Sequence, residues 1–186
     1  MGLDCLLHLP MEPLPRADGS RPKPGPGALF VDMSPQALAA VLEPDLVAAP
    51  AALGLNNHMG SRFTGNAAAI RLLCAQLAGR GLVALDSLTQ PHSRLAEETR
   101  AAGLVSVSRA IFLDTNRETS AILAALDTAA AKARSVGFAV AIGHPCSETL
   151  SALRRWWDKT GTAVVPLRRL VWHLVQRQAA LAARGR

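Results

Sequence analysis

The sequence has 186 residues, of which 49% are hydrophobic and 18% are charged, and its formal net charge is +6. This length is typical of one domain, and so apolar a composition excludes an intrinsically disordered chain. No apolar run reaches the roughly 18 residues that a membrane-spanning helix needs, and the first residues lack the basic segment of a signal peptide.

The predicted elements of the first half are read from apolar periodicity and from Pro, Gly and capping residues. Ser34 and Pro35 indicate a helix start, Pro44 indicates its end, and Thr64 is the expected cap of the next helix. In chain order the predicted elements are a strand at 3–8, a Pro- and Gly-rich loop at 13–27, a helix at 36–43, an apolar strand at 51–55, a helix at 65–78 and a strand at 82–85.

The second half continues the alternation of short apolar segments and helices. Ser93 and Ser147 are the expected helix caps, and Gly103 and Gly137 the expected helix ends. The predicted elements are a helix ending near 103, strands at 104–107 and 110–113, a helix at 116–136, a strand at 138–142, a helix at 147–159, a strand at 162–165 and a helix from 167 to about 182.

Strands that alternate with helices predict an α/β fold with a parallel sheet, and the length predicts a single domain over residues 1–186. Ionisable residues recur just after the predicted strands, where a parallel sheet presents its ligand-binding face. These residues are His8, His58, Asp86, Asp114 and His144. A common functional site is therefore expected.

The charge and the cysteines point to few further sites. Most basic residues are arginines on predicted helices without interleaved aromatic residues, so a solvated basic face is expected rather than a nucleic-acid interface. Cys5, Cys74 and Cys146 are far apart and form no CxxC pattern, which argues against a disulfide framework or a zinc knuckle. Cys74 lies on the apolar face of a predicted helix and is expected in the core.

Five segments together resemble the divergent polysaccharide deacetylase family, in that family's order and over nearly the whole chain. They are HLPMEP at 8–13, LNNHMGS at 55–61, Asp86-Ser87, RAIFLD at 109–114 and AIGHP at 141–145. The resemblance implies a variant β/α barrel, a polysaccharide or glycan substrate, a divalent metal that is typically zinc, and a location in the periplasm or cell envelope.

One departure from the family concerns its first strand, which carries two adjacent aspartates. The only acidic residue before His8 is Asp4, which stands alone. The resemblance therefore implies either a chain that is truncated at its N-terminus or a degenerate member, and in both cases an incomplete metal site that binds zinc weakly.

His8 and His58 are the expected metal ligands, because neutral imidazole suits zinc. A core histidine is the alternative for His8, whereas the polar NNHMGS string makes that alternative weaker for His58. The resemblance gives His144 the role of a general acid that protonates the leaving group, with a loop histidine near a helix cap as the alternative.

The remaining site residues are carboxylates and polar side chains near the same strand ends. Asp86 and Asp114 would orient a histidine or bind substrate hydroxyls, and a turn or cap residue is the alternative for each. Glu12 is expected to contact metal or sugar, and Asn57 and Arg109 are expected to contact substrate.

Two functions remain open at this point. One is metal-dependent hydrolysis of N- or O-acetyl groups on a polysaccharide, and the other is a non-catalytic carbohydrate-binding or cell-envelope accessory protein. A nucleophile built from Cys146 and His144 is a minor third alternative, because sequence adjacency does not by itself give attack geometry.

Overall fold

The structure, a computed structural model, describes residues 3–184. Its parallel strands alternate with helices, as the sequence predicts. The strands are β1 Cys5–Met11, β2 Ala52–Met59, β3 Val83–Asp86, β4 Ser106–Ser108, β5 Ile111–Phe112 and β6 Ala141–Ile142. The helices are α1 Pro35–Ala48, α2 Ala67–Leu77, α3 Leu95–Ala101, α4 Thr119–Val136, α5 Ser147–Thr160 and α6 Leu167–Arg184.

The chain divides into two compact units. Within the described residues, the first unit comprises residues 3–108 and 166–184, and the second comprises residues 109–165. The first unit holds a parallel sheet of order β1-β2-β3-β4, and the second holds the parallel pair β5-β6. That all of this chain forms one domain stays a prediction.

The core of the first unit lies on the face of the sheet that carries Leu9, Met11 and Leu55. Helix α2 packs there because its apolar residues fall at helical spacing, at Ile70, Leu73 and Leu77. Cys74 lies on the same face of α2 and is buried, which confirms its expected place in the core, and this burial raises the pKa of its thiol.

The core of the second unit is smaller and is formed mainly by the facing sides of α4 and α5. Ile122, Leu126 and Ala130 lie on α4 at a spacing of four residues and pack with Trp156 of α5. The indole N–H of Trp156 donates to Asp127 at 2.8 Å, which satisfies the polar atom of an otherwise buried ring.

Several element predictions require correction. Arg94 and Cys146, rather than Ser93 and Ser147, occupy the N-cap positions of α3 and α5. Helix α1 continues through Pro44 to Ala48, because Leu38, Leu42 and the partly buried Leu46 form one apolar stripe. Asn66, rather than Thr64, caps α2, and its side chain accepts from the N–H of Ala69.

Further corrections concern strands. Strand β1 runs past His8 to Met11, so His8 lies within the strand and not at its end. Strand β2 extends beyond Leu55 through the polar residues to Met59. No strand forms at 162–165, where Val164 and Val165 are about half exposed and no neighbouring strand pairs with them. Among residues 3–184, no helix has the length and apolar character to cross a membrane.

Candidate functional site

Three polar side chains of the first unit share one face of the sheet because of strand register. His8 of β1 is the register partner of Asn56 of β2, and His58 follows two residues later on the same strand. Side chains two apart on a strand point to the same side, and so do register partners. Leu55 and Asn57 alternate with them and are buried on the opposite side.

The two histidine rings are in direct contact. Nε2 of His8 lies 3.0 Å from Nδ1 of His58, and the ring centroids are 4.9 Å apart at an angle of 68°. Nδ1 of His8 lies 3.1 Å from Oδ1 of Asn56. The structure therefore brings the two predicted metal ligands together, and their expected role as ligands stays a prediction.

The facing nitrogens fit two positions around one divalent metal. Zinc–nitrogen bonds of about 2.0–2.1 Å in a tetrahedral site place two nitrogens about 3.3 Å apart. The distance of 3.0 Å between His8 and His58 is close to that value. Within residues 3–184, no three side chains of His, Cys, Asp or Glu cluster as a metal site.

Asp4 does not approach these histidines as a third donor. Its carboxylate accepts hydrogen bonds from the backbone N–H and the guanidinium of Arg168, and the backbone hydrogen bond is the main cause of the lowered pKa of Asp4. Asp4 thus ties the start of β1 to α6 within the first unit.

The turn after His58 has a backbone that Asn57 stabilises. Met59 has φ 52° and Gly60 has φ 85°, both in the left-handed region. The amide of Asn57 donates to the carbonyl of Met59 at 2.8 Å, and the hydroxyl of Thr89 donates to the same carbonyl at 2.8 Å. Asn57 is buried, so this geometry makes it a framework residue and does not support its expected contact with substrate.

Asp86 has the geometry of its turn alternative. One carboxylate oxygen accepts from the N–H of Leu88 at 2.8 Å, and the other accepts from the hydroxyl of Ser93 at 2.7 Å. Leu88 has φ 47°, so the turn after β3 is also left-handed. The buried carboxylate shapes this turn and positions Ser87, whose backbone N–H donates to Asn57.

Glu12 also has internal partners. Its carboxylate accepts from the N–H of Val31 at 3.0 Å and pairs with the guanidinium of Arg62. Its carbonyl accepts from the N–H groups of Arg62 and Phe63. Glu12 therefore holds the segments that follow β1 and β2, an arrangement that does not support its expected contact with metal or sugar.

The second unit contains a paired acid and histidine. Asp114 is buried, and its carboxylate accepts from the backbone N–H of His144 and, at 3.1 Å, from the hydroxyl of Thr149. Nδ1 of His144 lies 3.0 Å from Oδ1 of Asp114, and the His144 side chain is 69% exposed. The carboxylate thus orients an imidazole whose other nitrogen is directed away from it.

The hydrogen bonds to Asp114 determine its charge state. Burial alone raises the pKa of this carboxyl, but the hydrogen bonds from the backbone and ring of His144 and from Thr149 outweigh it, and the net pKa is lowered. Asp114 is therefore ionised at neutral pH, as a carboxylate that orients a histidine must be.

Aromatic contacts support the same imidazole. The ring of Phe112 stacks on His144 with centroids 6.4 Å apart and an angle of 7°, and the guanidinium of Arg109 lies 3.9 Å from the Phe112 centroid. The thiol of Cys146 lies 3.0 Å from the hydroxyl of Thr149, so this geometry favours a packing role over the Cys146–His144 nucleophile.

Four residues that contact the predicted site residues were not themselves predicted from the sequence. They are Asn56, Ser87, Phe112 and Thr149. Asn56 had a detectable signal, because extending β2 through NNHM would have placed it on the same face as His58 by alternation. Thr149 had none, since its partner Asp114 is 35 residues away in sequence.

Comparisons with known proteins agree with this architecture. A family model described as divergent polysaccharide deacetylase matches residues 1–171. The uncharacterized protein YibQ of Escherichia coli is 30% identical over 154 residues, which are 83% of this chain and 47% of that protein. An uncharacterized protein of Haemophilus influenzae is 33% identical over 153 residues, 82% of this chain and 53% of the relative. This chain thus spans about half the length of these two curated relatives.

A solved structure confirms the predicted fold class. The crystal structure of an uncharacterized protein from Agrobacterium tumefaciens superposes with a TM-score of 0.81 at 23% identity, over 90% of this chain and 68% of the other. The likeness supports an α/β fold with parallel strands and is consistent with a barrel-like polysaccharide deacetylase fold.

Proposed function

This chain belongs to the divergent polysaccharide deacetylase family, and we propose that it catalyses the metal-dependent hydrolysis of N- or O-acetyl groups on a polysaccharide. The contact between His8 and His58 is the observation that carries the proposal. Two imidazoles whose nitrogens face each other at 3.0 Å, on one face of a sheet, form a suitable pair of ligands for a divalent metal such as zinc.

His8 and His58 would hold the metal through Nε2 and Nδ1 respectively. When bound, such a metal lowers the pKa of its water towards 7 and polarises the acetyl carbonyl. Two imidazoles bring no negative charge, so we expect weak binding by this chain unless a further ligand is supplied.

His144 would supply the proton that the leaving amine or alkoxide needs. Asp114 accepts from Nδ1 of His144 and so favours the tautomer or charge state with a proton there. Nε2 of this exposed side chain would then be the atom through which a proton passes to substrate. Phe112 and Asp114 limit the orientation of the ring, and Arg109 remains the residue proposed to contact substrate.

A second candidate function is supported by a different observation. Among residues 3–184 no third metal donor joins the two histidines, which favours a non-catalytic carbohydrate-binding or cell-envelope accessory protein. In either function the proposed ligand is a polysaccharide or glycan, and the proposed location is the periplasm or cell envelope, as the family implies.

Zinc titration by calorimetry tests the leading function. We expect the wild-type chain to bind one zinc ion weakly and His58→Gln to lose that binding. His173→Gln, which changes an exposed histidine of α6, is the matched control and should bind as the wild type does. Release of acetate from an acetylated oligosaccharide, measured with and without zinc, then separates the two functions.

Three other outcomes of these experiments would change the proposed function. Sub-micromolar zinc binding that His58→Gln abolishes would mean that another side chain completes the site. Equal binding by the wild type and His58→Gln would contradict the assignment of His58. Glycan binding without zinc and without acetate release would favour the accessory protein.

A further inference from the structure

The two nitrogens of the His8 ring face two different partners. Nδ1 faces the side-chain oxygen of Asn56 at 3.1 Å, and Nε2 faces Nδ1 of His58 at 3.0 Å. A neutral imidazole carries one proton, on one nitrogen or the other. The partner of one nitrogen therefore determines whether the other has a lone pair available for a metal.

The orientation of the Asn56 amide is set by Ser87. The amide nitrogen of Asn56 donates to the hydroxyl of Ser87 at 3.1 Å, which directs the amide oxygen towards His8. Ser87 is itself held, because it is buried and its backbone N–H donates to Asn57 at 2.8 Å. A turn that follows β3 thus fixes the direction of a side chain on β2.

An amide oxygen can only accept a hydrogen bond. Nδ1 of His8 must then be the donor, and Nε2 of the neutral ring carries a lone pair. The contact between Nε2 and His58 contains one proton, which in this arrangement belongs to Nδ1 of His58. For both facing nitrogens to act as ligands, Nδ1 of His58 must also carry a lone pair, whereas Nε2 of His8 already carries one.

We propose that Asn56 is a positioning residue that holds His8 in the Nδ1–H tautomer, with Nε2 prepared to bind the metal. This inference rests on the proposed metal-dependent function, and it gives Asn56, the first residue of the NNHM segment, a role distinct from that of Asn57. Hydrogen bonds to the outer nitrogen of a ligating histidine fix its tautomer and increase its basicity, and removing such a partner typically weakens metal binding about 10–100-fold.

Nitrogen-15 correlation spectra of the metal-free chain test the tautomer directly. They are recorded at alkaline pH, where ordinary histidines are neutral, and the His8 signals are assigned by their loss in His8→Gln. We expect the Nδ1–H form of His8 in the wild type, a shift towards the Nε2–H form in Asn56→Leu, and retention of Nδ1–H in Asn56→Asp, because a carboxylate also accepts.

Zinc titration of the same variants tests the consequence for binding. We expect Asn56→Leu to bind zinc about 10–100-fold more weakly than the wild type and Asn56→Asp to bind at least as well. Circular dichroism confirms that each variant is folded, and Asn56→Asp keeps the test valid if Asn56→Leu does not fold.

The results distinguish this inference from the proposed function. An unchanged Nδ1–H tautomer in Asn56→Leu would overturn the role of Asn56, and so would a shifted tautomer with unchanged zinc affinity. If Asn56→Leu is unfolded, an Asn56→Asp variant in which His8 adopts the Nε2–H form overturns it instead. If the wild type binds no divalent metal although the tautomers behave as expected, the proposed function fails while the control of the His8 tautomer by Asn56 stands.

Discussion

Asn56 and Asn57 show how strand alternation separates two identical neighbours. Asn56 points to the face of the sheet that carries His8, and its amide contacts the imidazole. Asn57 is buried on the other face, where it holds the turn at Met59 and the backbone of Ser87. One residue type at adjacent positions thus serves the site in one case and the framework in the other.

Asp114 is the residue whose substitution should change the acid stability of the protein. Its folded pKa lies below its unfolded value, so the ionised carboxylate contributes stability above about pH 4, and this contribution is lost as the pH falls through the folded pKa. We expect Asp114→Asn to cost about 1–3 kcal/mol at neutral pH, because it places an amide beside the donors of His144 and Thr149. Urea unfolding from pH 7 to pH 2 measures both effects.

Asp18→Asn is the control for that experiment. The pKa of Asp18 is also lowered, by hydrogen bonds from Ser20, but Asp18 lies exposed in a loop where such bonds contribute little. The wild type and Asp18→Asn should lose stability in parallel below about pH 4, and Asp114→Asn should lose less. Equal acid sensitivity of all three proteins would contradict the role given to the Asp114 carboxylate.

Helices α1 and α2 show how far the local sequence determines where a helix begins and ends. Helix α2 is predictable because its apolar spacing and the glycines that follow it agree, although its cap is Asn66 and not Thr64. Helix α1 is not, because Pro44 predicts an end while packing of Leu38, Leu42 and Leu46 in the core extends the helix. Tertiary packing therefore decides where local signals conflict.

The candidate site shows the same difference between features that the sequence predicts and features that tertiary contacts decide. The strands that carry His8 and His58 can be read from apolar patterns, although both strands run past their predicted ends, and their pairing makes the proximity of the two histidines predictable. The partner of Glu12 cannot be read from the sequence, because its carboxylate meets Arg62, 50 residues away, only after β1 and β2 pair. Sequence patterns locate the strands, whereas the ends of the strands and the contacts between turns depend on the folded sheet.

The turn between β2 and α2 should be sensitive to a single methyl group. A Cβ at Gly60 would lie 2.8 Å from the Cβ of Met11 on the neighbouring strand, and φ there is +85°. We expect Gly60→Ala to destabilise the protein by about 2–4 kcal/mol, from the left-handed backbone and the steric overlap together. The free energy of unfolding in urea measures it.

Gly79→Ala is the matched control, because Gly79 has φ +75° but nothing within 4 Å of its added Cβ. It should show only the conformational cost, about 1–2 kcal/mol. If the two variants lost the same stability, the contact between Gly60 and Met11 would have no energetic role, and the close approach of β1 to the turn after His58 would not constrain this position.

At the scale of the whole molecule, the two units have separate cores and separate candidate groups. The first unit contains His8, Asn56 and His58, and the second contains Asp114 and His144. The family assignment covers both units, since the match extends from residue 1 to residue 171.

Zinc should stabilise the first unit selectively if the proposed ligands are correct. A ligand that binds only the native state adds about 2.7 kcal/mol at a free concentration a hundred times its Kd. Because His8 and His58 lie on β1 and β2, bound zinc would link these strands and lower the population of their opened state about a hundredfold. Hydrogen exchange measured by mass spectrometry should show this protection in peptides covering residues 5–11 and 52–59, and EDTA should reverse it.

The double variant His8→Gln/His58→Gln should show no response to zinc, while His173→Gln should respond as the wild type does. Protection confined to residues 109–165 would place the metal in the second unit and contradict the assignment of these two histidines.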